Sequence, residues 1–247
     1  STRLNTLFPY TTLFRSSGPL KAWARQRPTN AITVLDTHDG IGIIDIGADA
    51  TDRSARPGLV PPAELDALVE RIHANSGGQS REATGAAASN LDLYQVNCTF
   101  YDALGRDDDA YLIARAIQFF LPGVPQVYYV GLLAGENDMA LLKASGVGRD
   151  INRHHYSRGE IGQQLQRPVV QALLRLIRLR NSHAAFGGQF SLGDTDADTL
   201  LLQWALDGER IELQVDLAGR SAHITTRGPA GETGWLLAGS APVAVPG

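Results

Sequence analysis

The sequence predicts an α/β chain that closes with a small antiparallel β domain. Strand-like apolar segments alternate with amphipathic helical ones up to residue 187. Beyond Phe186-Gly187-Gly188, short alternating runs between turn residues replace the helical period. Near the start, the apolar segment Ala31-Ile32-Thr33-Val34 reads as a buried strand and runs into Leu35-Asp36-Thr37-His38-Asp39-Gly40. That hexapeptide places two carboxylates and an imidazole at the strand's C-terminal rim, where substrates sit in α/β folds built from parallel strands. The simpler reading is a turn in which Asp36 or Asp39 caps the next element.

Composition sets the outer limits. The chain has 247 residues, 43% hydrophobic and 19% charged, as expected of a globular protein with a sizeable core. A formal charge of −4 gives no nucleic-acid footprint and no affinity for an anionic membrane surface. Cys98 is the only cysteine, so no intrachain disulfide forms, and its apolar neighbours suggest buried filler. A cytoplasmic location fits. The uncharged span from Ala116 to Gly135 is interrupted by Pro122, Gly123 and Pro125, so a helix followed by a buried strand explains it better than a bilayer span.

The elements follow in order. Thr6 to Ser16 resembles the frame translation of a common short-read sequencing adapter, so residues 1–16 are set aside as an assembly scar. A short amphipathic element is the alternative. On the adapter reading, the natural chain began well upstream and this is a C-terminal fragment. Pro19 to Arg27 reads as a helix ended by Pro28. The strand and its acidic rim come next, then the glycine-punctuated run Gly40 to Gly47, which suggests close backbone packing. Pro61-Pro62 opens a helix with Leu65, Leu68, Val69 and Ile72 on one face, ending near Asn75. Ser76 to Ala88 reads as a loop, and Asn90 to Val96 alternates like a strand. Three acids, Asp107 to Asp109, precede a helix over 110–121 and complement its dipole. Val124 to Gly131 reads as a buried strand, and Gly148 to Tyr156 as part of a long polar loop. A helix over 168–180 turns Val169, Val170, Leu173, Leu176 and Ile177 inward. The runs Thr199 to Trp204 and Arg210 to Val215 are β-strands of the last domain.

This order matches the last two βα units of a (β/α)8 barrel, with inserted loops, plus a C-terminal β domain. A whole barrel takes about 250 residues, too many for this chain. The expected organisation is an adapter-like segment at 1–16, a partial barrel at 17–187 with an inserted B′-like region at about 41–105, and a β domain at 188–247.

Four blocks carry a more specific signal: Thr33 to Gly42, Ser89 to Gln95, Pro125 to Gly135, and Gly148-Arg149-Asp150-Ile151-Asn152-Arg153. Together, and in this order, they resemble the sucrose phosphorylase family of the α-amylase superfamily of retaining glycosidases. The likeness runs from about Lys21 to the C-terminus. It implies double-displacement transfer of glucose from sucrose to inorganic phosphate, giving α-glucose 1-phosphate and fructose, with no cofactor and no metal. Asp39 matches the carboxylate that stabilises the transition state. Its bonds to sugar hydroxyls strengthen as the glucosyl ring gains oxocarbenium character. His38 matches the imidazole that orients the same ring. Asp92, Leu93, Tyr94 and Gln95 match the mobile acceptor loop, and Arg149 matches the loop arginine, whose forked donors suit phosphate. The family's nucleophilic aspartate and acid/base glutamate lie on earlier strands, upstream of residue 17. The full-length parent is expected to be soluble, without nucleic-acid or membrane partners, and in some relatives a homodimer.

Other readings stay open on the residues alone. Sister phosphorylases act on sucrose 6-phosphate, glucosylglycerate or glucosylglycerol; Tyr94 and Gln95 favour plain sucrose. A metal-dependent hydrolase would use Asp36, His38 and Asp39. A non-catalytic sugar-binding module would need only His38, Asp39 and Arg149. His154-His155 is a poor metal motif, since adjacent residues rarely present two ligands to one ion.

Overall fold

The structure, a computed structural model, describes residues 16–42, 58–84 and 95–245 apart from 239 and 240. The adapter-like segment up to residue 15, the end of the glycine run (43–47), the loop end 85–88 and Asn90 to Tyr94 lie outside the described residues, and with them Asp92, Leu93 and Tyr94.

Helix α1 (Gly18–Gln26) starts with Pro19 in its first turn and ends just before Pro28. Its docking explains a buried lysine. The Lys21 ammonium donates to the carbonyl and hydroxyl oxygens of Thr195 at 2.9 and 2.7 Å, and to the Asp196 carbonyl. Burial pushes its pKa below the ordinary lysine range. The Ser17 hydroxyl adds a bond to the Ala197 carbonyl at 2.8 Å.

Strand β1 (Ile32–Val34) is expected as fully buried. Its two inner residues are, but Ile32 is 48% exposed. Antiparallel to one another, β2 (Ile41–Gly42) and β3 (Gln95–Val96) follow. Between them α2 (Pro62–Asn75) buries Leu68 and Ile72 as its period requires. The 76–88 loop contains one turn of helix, Gln79–Glu82, tied by a Ser76–Ser80–His73 side-chain chain.

Helix α3 (Asp108–Phe120) begins where the acids predict. Asp107 is its N-cap, accepting from the Ala110 amide at 3.0 Å. It leads to β4 (Val124–Gln126), which lies parallel to β1 with Thr33 opposite Pro125. Helix α4 (Pro168–Ser182) follows and packs on α3. These are the two βα units of the expected part-barrel. The predicted strand to Gly131 stops at Gln126, because the chain turns into a short helix, Tyr129–Leu132. The Tyr111 hydroxyl donates to the Gly131 carbonyl, and a Cβ at Gly131 would collide with Asp36 and Arg115.

The C-terminal sheet is an antiparallel meander of six strands in sequence order: β5 (Gln189–Leu192), β6 (Thr199–Leu206), β7 (Glu209–Asp216), β8 (Ser221–Gly228), β9 (Gly231–Ala238) and β10 (Ala241–Val245). Asp207-Gly208 supplies the two positive-φ residues of the tight β6–β7 turn. The inward set Leu200, Leu202, Trp204, Ile211, Leu213, Val215 and Ile224 is buried and joins the core of α3 and α4. The Trp204 indole donates to the Phe120 carbonyl at 2.7 Å, fixing sheet to helix end. Cys98 is buried as expected, and burial pushes its thiol pKa well up. No helix among the described residues is long and apolar enough to cross a membrane.

Beneath β1 and β4 lies a polar network. Asp36 and Arg115 are both buried, and one Arg115 terminal nitrogen reaches the two Asp36 oxygens at 2.9 and 3.0 Å. The guanidinium also donates to the Tyr111 hydroxyl at 2.8 and 3.1 Å and to the Gln118 side-chain oxygen at 3.0 Å. The Gln118 amide nitrogen in turn donates to the carbonyls of Thr33 and Gln126 at 3.0 and 2.9 Å, so one side chain spans both strands. Burial pushes the Asp36 carboxyl up, and the Arg115 charge pulls against it.

Two outcomes are expected from urea unfolding. Arg115→Met strands a buried carboxylate and should cost about 3–5 kcal/mol, with much of it recovered in the Asp36→Leu/Arg115→Met double variant. Equal losses in single and double variants would contradict the pairing. Gly40 sits at φ +95, and a Cβ would lie 2.5 Å from the Val96 carbonyl oxygen. Gly40→Ala should therefore cost about 1–3 kcal/mol, and a neutral result would contradict the close packing.

Candidate active-site rim

The rim grows out of the end of β1. After Leu35 and Asp36, both buried, the chain folds back within four residues. The Asp39 amide donates to the Thr37 hydroxyl at 3.2 Å, and the Gly40 amide to the Thr37 carbonyl at 3.2 Å. Only glycine tolerates the backbone at the turn's end, given its φ and the Val96 carbonyl. This tight turn pushes His38 and Asp39 outward. The His38 side chain is 63% exposed and that of Asp39 27%.

Asp39 is the meeting point. Its Oδ1 lies 3.1 Å from an Arg149 guanidinium nitrogen, 3.4 Å from one of Arg153 and 3.3 Å from His38 Nε2. Three of the expected site residues, Asp39, His38 and Arg149, therefore converge, although Arg149 lies 110 positions after Asp39 in sequence. Sequence reasoning did not single out the fourth member, Arg153. The signal was available: a second arginine closes the same Gly148 to Arg153 block, across Asp150-Ile151-Asn152 from Arg149.

The polar loop expected at 148–156 has structure of its own. Gly148–Asn152 forms a 3-10 turn between the short helices Met139–Ser145 and Arg158–Gln164. Buried Ile151 accepts the Asp138 amide at 2.7 Å, and the Tyr128 and Tyr129 hydroxyls donate to the carbonyls of Asn152 and His154 at 3.1 and 2.9 Å. A fixed turn thus carries both arginines.

The remaining expected residues are distributed differently. Gln95 is half-buried at the start of β3, and its side-chain oxygen is buried without a hydrogen-bond partner. Asp36 is a correction: the rim reading faced it outward with His38 and Asp39, whereas it points into the core and is engaged by Arg115. A carboxylate so engaged is poorly placed to join His38 and Asp39 around a metal. His154 lies between carboxylates, with Nδ1 2.6 Å from Asp138 and Nε2 3.3 Å from Glu160. His155 is exposed. Among the described residues, no three His, Cys, Asp or Glu side chains are arranged to hold a metal ion. Following the arginine turn, a cleft of about 470 Å³ is lined by residues 135–140, His154, Tyr156, Gln164 and Arg167. Its Arg167 is committed to the Leu133 and Ala134 carbonyls and to Gln164.

Chemically, the arrangement is a carboxylate held by cations beside an open face. It can accept hydrogen bonds from vicinal hydroxyls, and its guanidinium neighbours suit an anionic oxygen.

No family model matches the chain. It is 60% identical over 209 residues to a sucrose phosphorylase of Agrobacterium vitis, covering 85% of this chain and 42% of that relative. It is 60% identical over 186 residues to a sucrose phosphorylase of Bifidobacterium adolescentis, covering 75% of this chain and 37% of that relative. Among solved structures it is similar to sucrose 6F-phosphate phosphorylase from Thermoanaerobacter thermosaccharolyticum, with a TM-score of 0.79 at 40% identity, covering 93% of this chain and 44% of the other. The chain spans about two fifths of the length of the curated relatives it matches. Over the span it covers, the chain is similar to sucrose phosphorylases and, at lower identity, to a sister phosphorylase.

Proposed function

We propose that the protein to which this chain belongs moves a glucosyl unit from sucrose to inorganic phosphate with retention, releasing fructose and α-glucose 1-phosphate. The observation that carries this reading is the 60% identity to two sucrose phosphorylases. The rim supports it, because the residue matched to the transition-state stabiliser is the one on which His38 and Arg149 converge.

In this reading a carboxylate nucleophile attacks the anomeric carbon, and an acid protonates the departing fructosyl oxygen. Phosphate then displaces the enzyme carboxylate from the opposite face. We assign the nucleophile and the acid to the part of the relatives that this chain does not match. This chain's residues do the rest. Asp39 grips sugar hydroxyls more tightly as positive charge develops on the ring, and His38 orients the same hydroxyls. Arg149, within reach of Asp39, faces the incoming phosphate. We assign Asp92, Leu93, Tyr94 and Gln95 to the acceptor side. We read sucrose rather than glucosylglycerol as the donor because the glucosylglycerol phosphorylase of Marinobacter adhaerens matches less well, at 43% identity. We place the enzyme in the cytoplasm, acting without cofactor.

The test is a chimera in which residues 17–247 replace the matching span of the Agrobacterium vitis enzyme. It should form glucose 1-phosphate from sucrose and phosphate; a strong preference for glucosylglycerol would overturn the substrate assignment. Asp39→Asn should then lower kcat by roughly 100-fold or more while KM for sucrose changes little. Equal damage to both would reduce Asp39 to a binding group. The 247-residue chain alone should form no glucose 1-phosphate.

A further inference from the structure

We propose that Arg153 is a positioning residue: it locks the rim backbone to the arginine turn and so sets the spacing between the Asp39 carboxylate and the Arg149 guanidinium. The inference rests on the reading of Asp39 given above.

The geometry is a three-rung clamp. Asn152, buried, donates its side-chain amide to the Thr37 carbonyl at 2.5 Å. Arg153 donates Nε to the His38 carbonyl at 3.0 Å and a terminal nitrogen toward Asp39 Oδ1 at 3.4 Å. Two adjacent residues of the turn thereby hold three consecutive residues of the rim. The other Arg153 terminal nitrogen lies 3.3 Å from Asp150 Oδ1, which keeps the guanidinium plane aligned with the turn that carries Arg149.

The division of labour between the two arginines follows from these bonds. Each Arg153 nitrogen already serves one partner within the protein. Its link to Asp39 is the longer of the two arginine contacts, and its best-placed bond goes to a backbone oxygen, which a substrate does not displace. Arg153 therefore acts on the reaction through where it holds His38 and Asp39. A misplacement of about 1 Å at a reacting constellation can cost roughly 100-fold in rate, so a residue of this kind has catalytic weight without touching the sugar. The planar fork matters as well. A lysine ammonium at the same place can serve the His38 carbonyl or Asp39, and it cannot hold the fixed angle between them.

The test uses the same chimera, assayed well below its melting temperature, with two reactions measured on each variant: phosphorolysis of sucrose, and hydrolysis of sucrose without phosphate. Both pass through the Asp39-stabilised transition state, and only the first needs a phosphate ligand. Arg153→Ala should lower kcat of both by the same factor, roughly 10- to 100-fold, with KM for phosphate little changed. Arg153→Lys should restore a minor part of the loss. A loss confined to phosphorolysis, with a raised KM for phosphate, would make Arg153 a phosphate ligand and overturn the inference. Unchanged kcat with a lowered melting temperature would also overturn it, leaving only a structural tie. If the unsubstituted chimera makes no glucose 1-phosphate, the reading of Asp39 falls first and the inference with it.

Discussion

One guanidinium, buried whole, holds the scaffold of the rim. Arg115 leaves α3, neutralises Asp36 at the end of β1, and passes through Gln118 to the carbonyls of both parallel strands. Such a pair adds little net stability over apolar residues of the same volume, because desolvating two charges offsets most of their attraction. Its worth is geometric. The Asp36 carboxylate can satisfy its charge in one place only, so the residues after it must leave the strand in one direction. Gly131, in the short helix after β4, packs so close to the same pair that a Cβ there would collide with it. The ends of both strands thus meet one buried network.

The chemistry is built one layer above. Thr37 closes a turn on itself, Gly40 supplies the conformation that ends it, and His38 and Asp39 are left facing outward. The arginine turn comes from a loop more than 100 residues later and reaches this spot because it is bonded on both sides. Tyr128, Tyr129 and Asp138 hold it from the β4 side, and Asn152 and Arg153 bind it to the rim. The charge balance follows. Asp39 is offset by two guanidinium groups on one side, and its other side is open to hydroxyls.

Much of this was legible in the residue order. The α3 N-terminus was readable from Asp107 to Asp109, because a capping acid acts within four residues. The β6–β7 hairpin was readable from Asp-Gly between alternating runs. The convergence of Asp39, His38 and Arg149 came from blocks of resemblance rather than from periodicity. What was missed depends on distant partners. Val124 to Gly131 has strand composition throughout, yet only three of its residues pair, and the chain then enters the helix Tyr129–Leu132, in which Gly131 packs against Asp36 and Arg115. Asp36 reads like Asp39 in sequence; only the arginine 79 positions on separates a core residue from a rim residue. Arg153 was passed over because two of its three partners, the His38 carbonyl and the Asp39 carboxylate, lie more than 100 positions away and one of them is a backbone oxygen.

The most direct measurement of the central claim is a crystal structure of the chimera soaked in sucrose after its nucleophilic carboxylate has been replaced. The account expects the Asp39 carboxylate within about 3 Å of vicinal glucosyl hydroxyls, with the Thr37 to Gly40 turn unmoved and Arg149 on the side from which phosphate arrives. A glucosyl ring seated elsewhere, with Asp39 still fully engaged by its arginines, would contradict it.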